Sequence, residues 1–307
     1  MVKRALLFLF LVVVLQIANL CVAADTNSVS IPEFLNSISV TIETPESYGS
    51  GVAFTRKDSD GNPVTFIWTA SHVVHYKEIL DAEFLPLPIL PQFENDTNDF
   101  FFETNEMVFD FTNVTIHQDI ITNGVFCCRT NLPAQLIKIS TDDIGEDLAI
   151  FRVKGQFFNT NSVVFDLSGR IPRLGEPLYG VSSPFGESGT FCTGFISSVG
   201  RNVPEFNRTF DETSCVMYPG SSGGGAFSID GKFIGMYILI KAPGLSYINP
   251  MRRIQSWAKK ENVEWALDPS IPMPSNEELK SLPVKDKELV NQQVTKIKSK
   301  SPSKHLK

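Results

Sequence analysis

Three short stretches of the sequence carry residue types that together can activate a hydroxyl for attack on a carbonyl carbon. The first is Tyr218-Pro219-Gly220-Ser221-Ser222-Gly223-Gly224-Gly225. Glycines on both sides of a serine let the chain turn sharply and let amide N–H groups point inward with no Cβ in the way. With Ser222 as nucleophile, the amides of Gly220 and Ser222 are placed to form an oxyanion hole. Ser221 is the rival nucleophile, but only Ser222 is followed directly by two glycines. A flexible Gly/Ser loop without chemistry has the same composition. The second stretch is Trp68-Thr69-Ala70-Ser71-His72-Val73-Val74. A strand ends at Trp68 and a short helical turn follows, a place that holds an imidazole rigidly with one edge open, so His72 is the candidate general base. His75 and His117 are weaker candidates by context, and His305 falls in the tail. The third is Glu146-Asp147-Leu148-Ala149-Ile150-Phe151. An aspartate directly before an apolar strand can point inward, take the Nδ1 proton of a histidine and fix its tautomer. Taken alone, Asp147 reads more plainly as a loop carboxylate beside Glu146 and Asp143.

Residues this far apart must be brought together by the elements between them. From Ser37 to Asp268 the chain reads as many short strands, among them Ser37 to Ile42, Gly51 to Phe54, Val64 to Trp68, Leu136 to Ile139, Leu148 to Val153, Gly194 to Val199 and Ala226 to Ile229. They are rich in Val, Ile, Phe and Thr, as half-buried strands are. Asp230-Gly231 between two such runs signals a hairpin, because a turn of that kind needs positive φ. A helix is expected only near the end, with Asn249 as N-cap, Pro250 at its first position, and Ile254, Trp257 and Ala258 on one face. The class is all-β, a barrel or sandwich closed by one terminal helix.

At 307 residues and a net charge of −7, the chain can bury a sizeable core and carries no general nucleic-acid footprint. Lys3 and Arg4, the apolar run Ala5 to Leu15 and the small residues Val22-Ala23-Ala24 make residues 1–24 a secretory signal. The alternative is a retained anchor, but Gln16 and Asn19 interrupt a stretch already marginal for about 30 Å of hydrocarbon. The protein is therefore expected to be secreted or extracytoplasmic (periplasmic if bacterial), with no stable membrane association after cleavage. Cys127, Cys128, Cys192 and Cys215 remain, an even count that suggests disulfides. Cys192 and Cys215 flank an expected hairpin near Val203–Pro204, where a cross-strand disulfide is plausible and two unpaired half-buried thiols are the alternative; the adjacent Cys127 and Cys128 pair elsewhere or not at all. Sequons stand at Asn95, Asn113 and Asn207. Residues 76–131, with Phe100-Phe101-Phe102, read as a long insertion within one domain spanning 25–268. Residues 269–307 read as a flexible Lys-rich tail. No cofactor is called for. His117 with Cys127 and Cys128 lacks the spacing and the fourth ligand of a metal site.

The order His72, Asp147, Ser222 is that of chymotrypsin-type barrels, not of subtilisin or α/β-hydrolases. The chain resembles the trypsin-like superfamily, and within it the HtrA/Deg-like branch. The likeness is carried by Gly49-Ser50-Gly51-Val52-Ala53-Phe54, by the histidine and aspartate stretches, and by Leu174-Gly175-Glu176-Pro177-Leu178 with Ser183-Pro184-Phe185-Gly186. Thr193 to Arg201 and Pro219 to Gly224 complete it, so that it covers roughly residues 35–262. It implies two six-stranded antiparallel β-barrels with the triad in the cleft between them. A substrate pocket would be lined by Val216, Met217, Met236, Tyr237 and Ile238, where no acid or histidine falls, so apolar P1 residues are expected. Two departures follow from the same comparison. The 45 residues after Asn262 are too short and polar for the PDZ module usual in that branch. Ser221 replaces the aspartate that pairs with a freed N-terminus in trypsin-type zymogens, so activation by propeptide cleavage is not expected. The function so read is a serine endopeptidase acting on protein or peptide substrates. The alternatives are an inactive binding protein on the same scaffold and a membrane-tethered processing factor.

Overall fold

Two strand systems and a C-terminal helix make up the fold, in a computed structural model that describes residues 29–45, 47–74, 114–122, 125–140, 146–155, 157, 161–204 and 208–282. The expected signal segment, the sequons at Asn95, Asn113 and Asn207, His75, and most of the expected insertion and tail lie outside the described residues. The first system is a closed barrel of six antiparallel strands in the order β1-β2-β3-β6-β5-β4. These are β1 (Ser39–Glu43), β2 (Tyr48–Lys57), β3 (Pro63–Thr69), β4 (Thr115–Thr122), β5 (Val125–Ile139) and β6 (Ala149–Val153). The expected strands at 51–54, 64–68, 136–139 and 148–153 all fall within or against these. β4 and the first part of β5, read from sequence as insertion, are barrel strands, with His117 paired to Thr41 and to Asn131.

The second system is a seven-stranded sheet in the order β11-β8-β9-β10-β13-β12-β7. Its members are β7 (Val164–Phe165), β8 (Pro177–Ser182), β9 (Thr190–Val203), β10 (Arg208–Thr213), β11 (Gly225–Ser228), β12 (Lys232–Ala242) and β13 (Leu245–Pro250). β11 also pairs with β12, so six strands share a ring of ladders, while the two-residue β7 joins β12 in parallel. Of the two six-stranded antiparallel barrels expected, the first is present as a closed barrel, and the second system holds six antiparallel strands in a ring of ladders with β7 added as a parallel edge. The β11–β12 hairpin turns at Gly231, which supplies φ 82°.

Among the described residues, two helices bear on this frame, and a further helical stretch covers 276–282. α1 (Ile31–Ser37) starts on a capping box, Ser30 accepting from the Glu33 amide while the Glu33 carboxylate accepts from the Ser30 amide. α2 (Met251–Lys260) buries Met251, Ile254, Trp257 and Ala258, the face expected from the sequence. Its N-cap is Pro250, not Asn249. The reason is that β13 runs on to Pro250, which pairs with Gly235, so Asn249 is a strand residue. An aromatic seam binds α2 and the segment after it to the barrel. Trp68 meets Trp257 at 5.8 Å and Phe66 meets Trp265 at 5.0 Å, both edge to face. The Trp68 indole donates to the Ala266 carbonyl at 2.9 Å. Phe165 bridges Trp68 and Phe233, so one continuous core runs from the barrel into the second sheet. Among the described residues no helix is long and apolar enough to cross a membrane.

Candidate active site

β3 ends at Thr69 and the chain tightens into a 3-10 turn over Ser71–Val74, which carries His72. Asp147 lies just before β6, the strand beside β3, so the barrel's own register brings the two together. His72 Nδ1 is 2.7 Å from Asp147 Oδ2. Asp147 Oδ1 accepts from the His72 amide and from Ser71 Oγ, each at 2.9 Å. Asp147 adopts φ 54°, a left-handed conformation uncommon for a non-glycine residue. Its carboxyl is held far below the usual carboxylate range: burial opposes the charge, but His72 and the three hydrogen bonds outweigh it. For His72, burial disfavours the imidazolium, and the charge and hydrogen bond of Asp147 overcome it, so its pKa is raised. The His72 side chain is still 44% exposed, which leaves an edge of the ring open to solvent.

Ser222 lies in the loop between β10 and β11, seated against the barrel. The Ser50 amide donates to the Ser222 carbonyl at 2.8 Å, and Ser50 Oγ donates to the Gly220 carbonyl at 2.7 Å. Gly223, at φ 86°, sits so close to β2 and β3 that a Cβ would stand 2.1 Å from the Ser50 carbonyl and 3.1 Å from the Ala70 amide. The loop therefore touches the segment that carries His72. No hydrogen bond joins Ser222 Oγ to the imidazole among the described residues, a contact that commonly tightens only with substrate present.

Within the loop the amides of Ser221, Gly223 and Gly224 donate to Tyr218, Tyr237 and Ser221 carbonyls, whereas those of Gly220 and Ser222 donate to no acceptor among the described residues. Both open amides are locked from the far side of their peptide planes. The Pro219 carbonyl accepts from the Phe185 amide at 2.8 Å, and the Ser221 carbonyl from the Gly224 amide at 3.0 Å. Gly220 has φ 93°, and a Cβ there would meet Phe185 N and Ser183 O at 2.8 Å. Two fixed donors with nothing to bind are suited to a developing oxyanion.

The rival residues are occupied. Ser221 is fully buried and its hydroxyl accepts from Ser182 Oγ and the Tyr218 amide. His117 has both ring nitrogens engaged, Nδ1 with Asn131 at 2.8 Å and Nε2 with Glu43 at 2.5 Å. Of the expected pocket residues, Met217, Met236 and Tyr237 are buried, Ile238 is half-buried and Val216 is exposed. Tyr237 exchanges main-chain hydrogen bonds with Gly223 and Gly224, which sets β12 beside the Ser222 loop. Cys192, on β9, and Cys215, just past the end of β10, are free thiols close enough for each to act on the other's ionisation; Cys215 and burial push the Cys192 thiol up. Ser50, Ser183 and Glu146, which hold these parts in place, were not singled out from sequence as site residues, since a buried serine carries no periodic signal.

The family model for the trypsin-like peptidase domain matches residues 49–236. Curated relatives include probable periplasmic serine endoproteases described as DegP-like. One, from Ectopseudomonas mendocina (strain ymp), is 32% identical over 129 residues, which is 40% of this chain and 26% of that protein. Another, from Chlamydia pneumoniae, is 33% identical over 119 residues, 38% of this chain and 23% of that protein. A third, from Brucella suis biovar 1 (strain 1330), is 29% identical over 136 residues, 44% and 26% respectively. The chain thus spans about a quarter of the length of these relatives.

Proposed function

Because the chain belongs to the trypsin-like peptidase family, we propose that it is a serine endopeptidase with Ser222 as nucleophile, His72 as general base and Asp147 as its orienting carboxylate. The observation that carries this reading is the 2.7 Å contact of His72 Nδ1 with Asp147, facing a loop whose Gly220 and Ser222 amides are fixed and open. Ser222 Oγ attacks the scissile carbonyl carbon while its proton passes to His72 Nε2. The carbonyl oxygen, now an oxyanion, is met by the amides of Gly220 and Ser222. Collapse of that intermediate breaks the C–N bond, His72 returns the proton to the leaving amine, and water then hydrolyses the acyl-enzyme by the same route.

Buried Met217 and Met236, with the ring of Tyr237, support apolar P1 residues. The charged and apolar N-terminal run, together with relatives named as periplasmic, supports an extracytoplasmic setting. In such an oxidising compartment Cys192 and Cys215 pair as a disulfide. The deciding experiment is labelling with a fluorophosphonate. Wild type is labelled and Ser222→Ala is not, whereas no labelling of folded wild type favours a binding protein on the protease scaffold.

A further inference from the structure

The residue before the catalytic carboxylate has an unusual set of partners. Glu146 Oε2 accepts from Arg253 Nε at 2.9 Å and Nη2 at 2.5 Å, and its other oxygen accepts from Arg208 Nη1. Its main-chain carbonyl accepts from Asn249 Nδ2 at 2.6 Å. Arg208 is on β10, Asn249 on β13 and Arg253 on α2, so all three partners belong to the second sheet or its helix. Arg253 is itself fixed, donating to the Thr209 carbonyl at 2.8 Å and lying 4.9 Å over the Phe210 ring. On the other side of Asp147, Leu148 is fully buried and its carbonyl accepts from the Ser140 amide at 2.8 Å. Asp147 thus sits at φ 54° between two clamped neighbours. A left-handed aspartate persists only where its surroundings over-determine it.

We propose that Glu146 is a positioning residue for the catalytic carboxylate, holding the left-handed Asp147 backbone so that both carboxylate oxygens stay on the His72 segment. The grip comes from Arg208, Asn249 and Arg253, so the second sheet and its helix align a carboxylate that belongs to the barrel. This rests on the reading of His72, Asp147 and Ser222 as a triad. The charged group facing His72 is Asp147; those facing Glu146 are Arg208 and Arg253, while Arg252 turns to Asp211 at 2.6 and 2.7 Å.

The test uses the full chain and the rate of inactivation by a fluorophosphonate between about pH 5 and 9, where the acid limb reports the proton on the base. Glu146→Gln is expected to slow the plateau rate about 10- to 100-fold, the scale of a small misplacement of a reacting group. Its acid-limb midpoint should also move down, because a displaced Asp147 no longer holds the proton on His72. Arg253→Met and Arg208→Met should move both readouts in the same direction, and either one serves if Glu146→Gln does not fold. Arg252→Met removes an ion pair from the same helix without touching Glu146. It should lower the melting temperature yet keep the rate and midpoint. If the Glu146 and Arg253 variants melt early but keep the wild-type rate and midpoint while folded, Glu146 is a structural clamp only and the proposal fails. Absence of labelling in folded wild type overturns the triad reading itself, and the inference with it.

Discussion

Ser50→Ala tests whether one buried hydroxyl holds the Ser222 loop on the barrel. Ser50 is fully buried, and its Oγ does two things at once. It donates to the Gly220 carbonyl at 2.7 Å and accepts from the Ser183 amide at 2.7 Å. The substitution removes one oxygen, so the transfer and cavity terms are small. The cost lies in the partners left behind. Ser183 is fully buried, and an amide sealed without an acceptor costs about 1–3 kcal/mol. Gly220 is half-buried and water can reach it, so that bond is worth about 0.5–1.5 kcal/mol. The sum, about 1.5–4.5 kcal/mol, is a large part of a typical stability of about 5–15 kcal/mol. The Gly220 peptide also loses its tether, so fluorophosphonate labelling should slow about 10- to 100-fold under conditions where the variant remains folded. Urea unfolding followed by far-UV circular dichroism gives the first quantity and labelling kinetics the second. A stability within about 0.5 kcal/mol of wild type, together with an unchanged rate, would refute the reasoning.

Gly220→Ala forces a Cβ into a left-handed residue and against Phe185 N and Ser183 O, which moves the open amide. Labelling should fall about 10²- to 10³-fold, the scale of a lost oxyanion donor, and an unchanged rate would argue against that role. Asp147→Asn should lower the plateau rate by about 10⁴-fold and bring the acid limb down, since the raised His72 pKa depends on that charge. The same pair sets a pH window for stability. The depressed Asp147 contributes fully above its unfolded value of about 3.9 and fades as pH falls toward the folded value; the raised His72 contributes fully below about 6.5 and fades as pH rises through its folded value. Urea unfolding near pH 5.5 should therefore show a larger loss for Asp147→Asn than unfolding near pH 8.5, and the reverse order would contradict the assignment.

Much of this arrangement was written in local chemistry. The Gly-rich run around Ser222, the strand-to-turn change at His72 and the Asp230-Gly231 hairpin each impose their geometry within a few residues. β4 and the first part of β5 were hidden because their pattern is not apolar alternation: His117 and Gln118 are buried, while Val125 and Phe126 are exposed. α1 was missed although Ser30 and Glu33 spell its capping box, since seven residues carry little helical periodicity. Asn249 is a strand residue and not a cap because its pairing with Met236, in β12, decides its backbone. Ser50 and Glu146 act through partners 170 and 107 residues distant, and no window of sequence contains such a contact.

The aromatic seam between barrel and helix also makes the molecule optically selective. All three tryptophans of the chain, Trp68, Trp257 and Trp265, lie in it and are at most 4% exposed. Intrinsic fluorescence therefore watches one joint, the docking of α2 and the residues after it onto the barrel. An emission shift to the red registers water entering that joint. Rearrangement confined to the Ser222 loop should leave the spectrum untouched, so emission and labelling report separately on the frame and on the chemistry it holds.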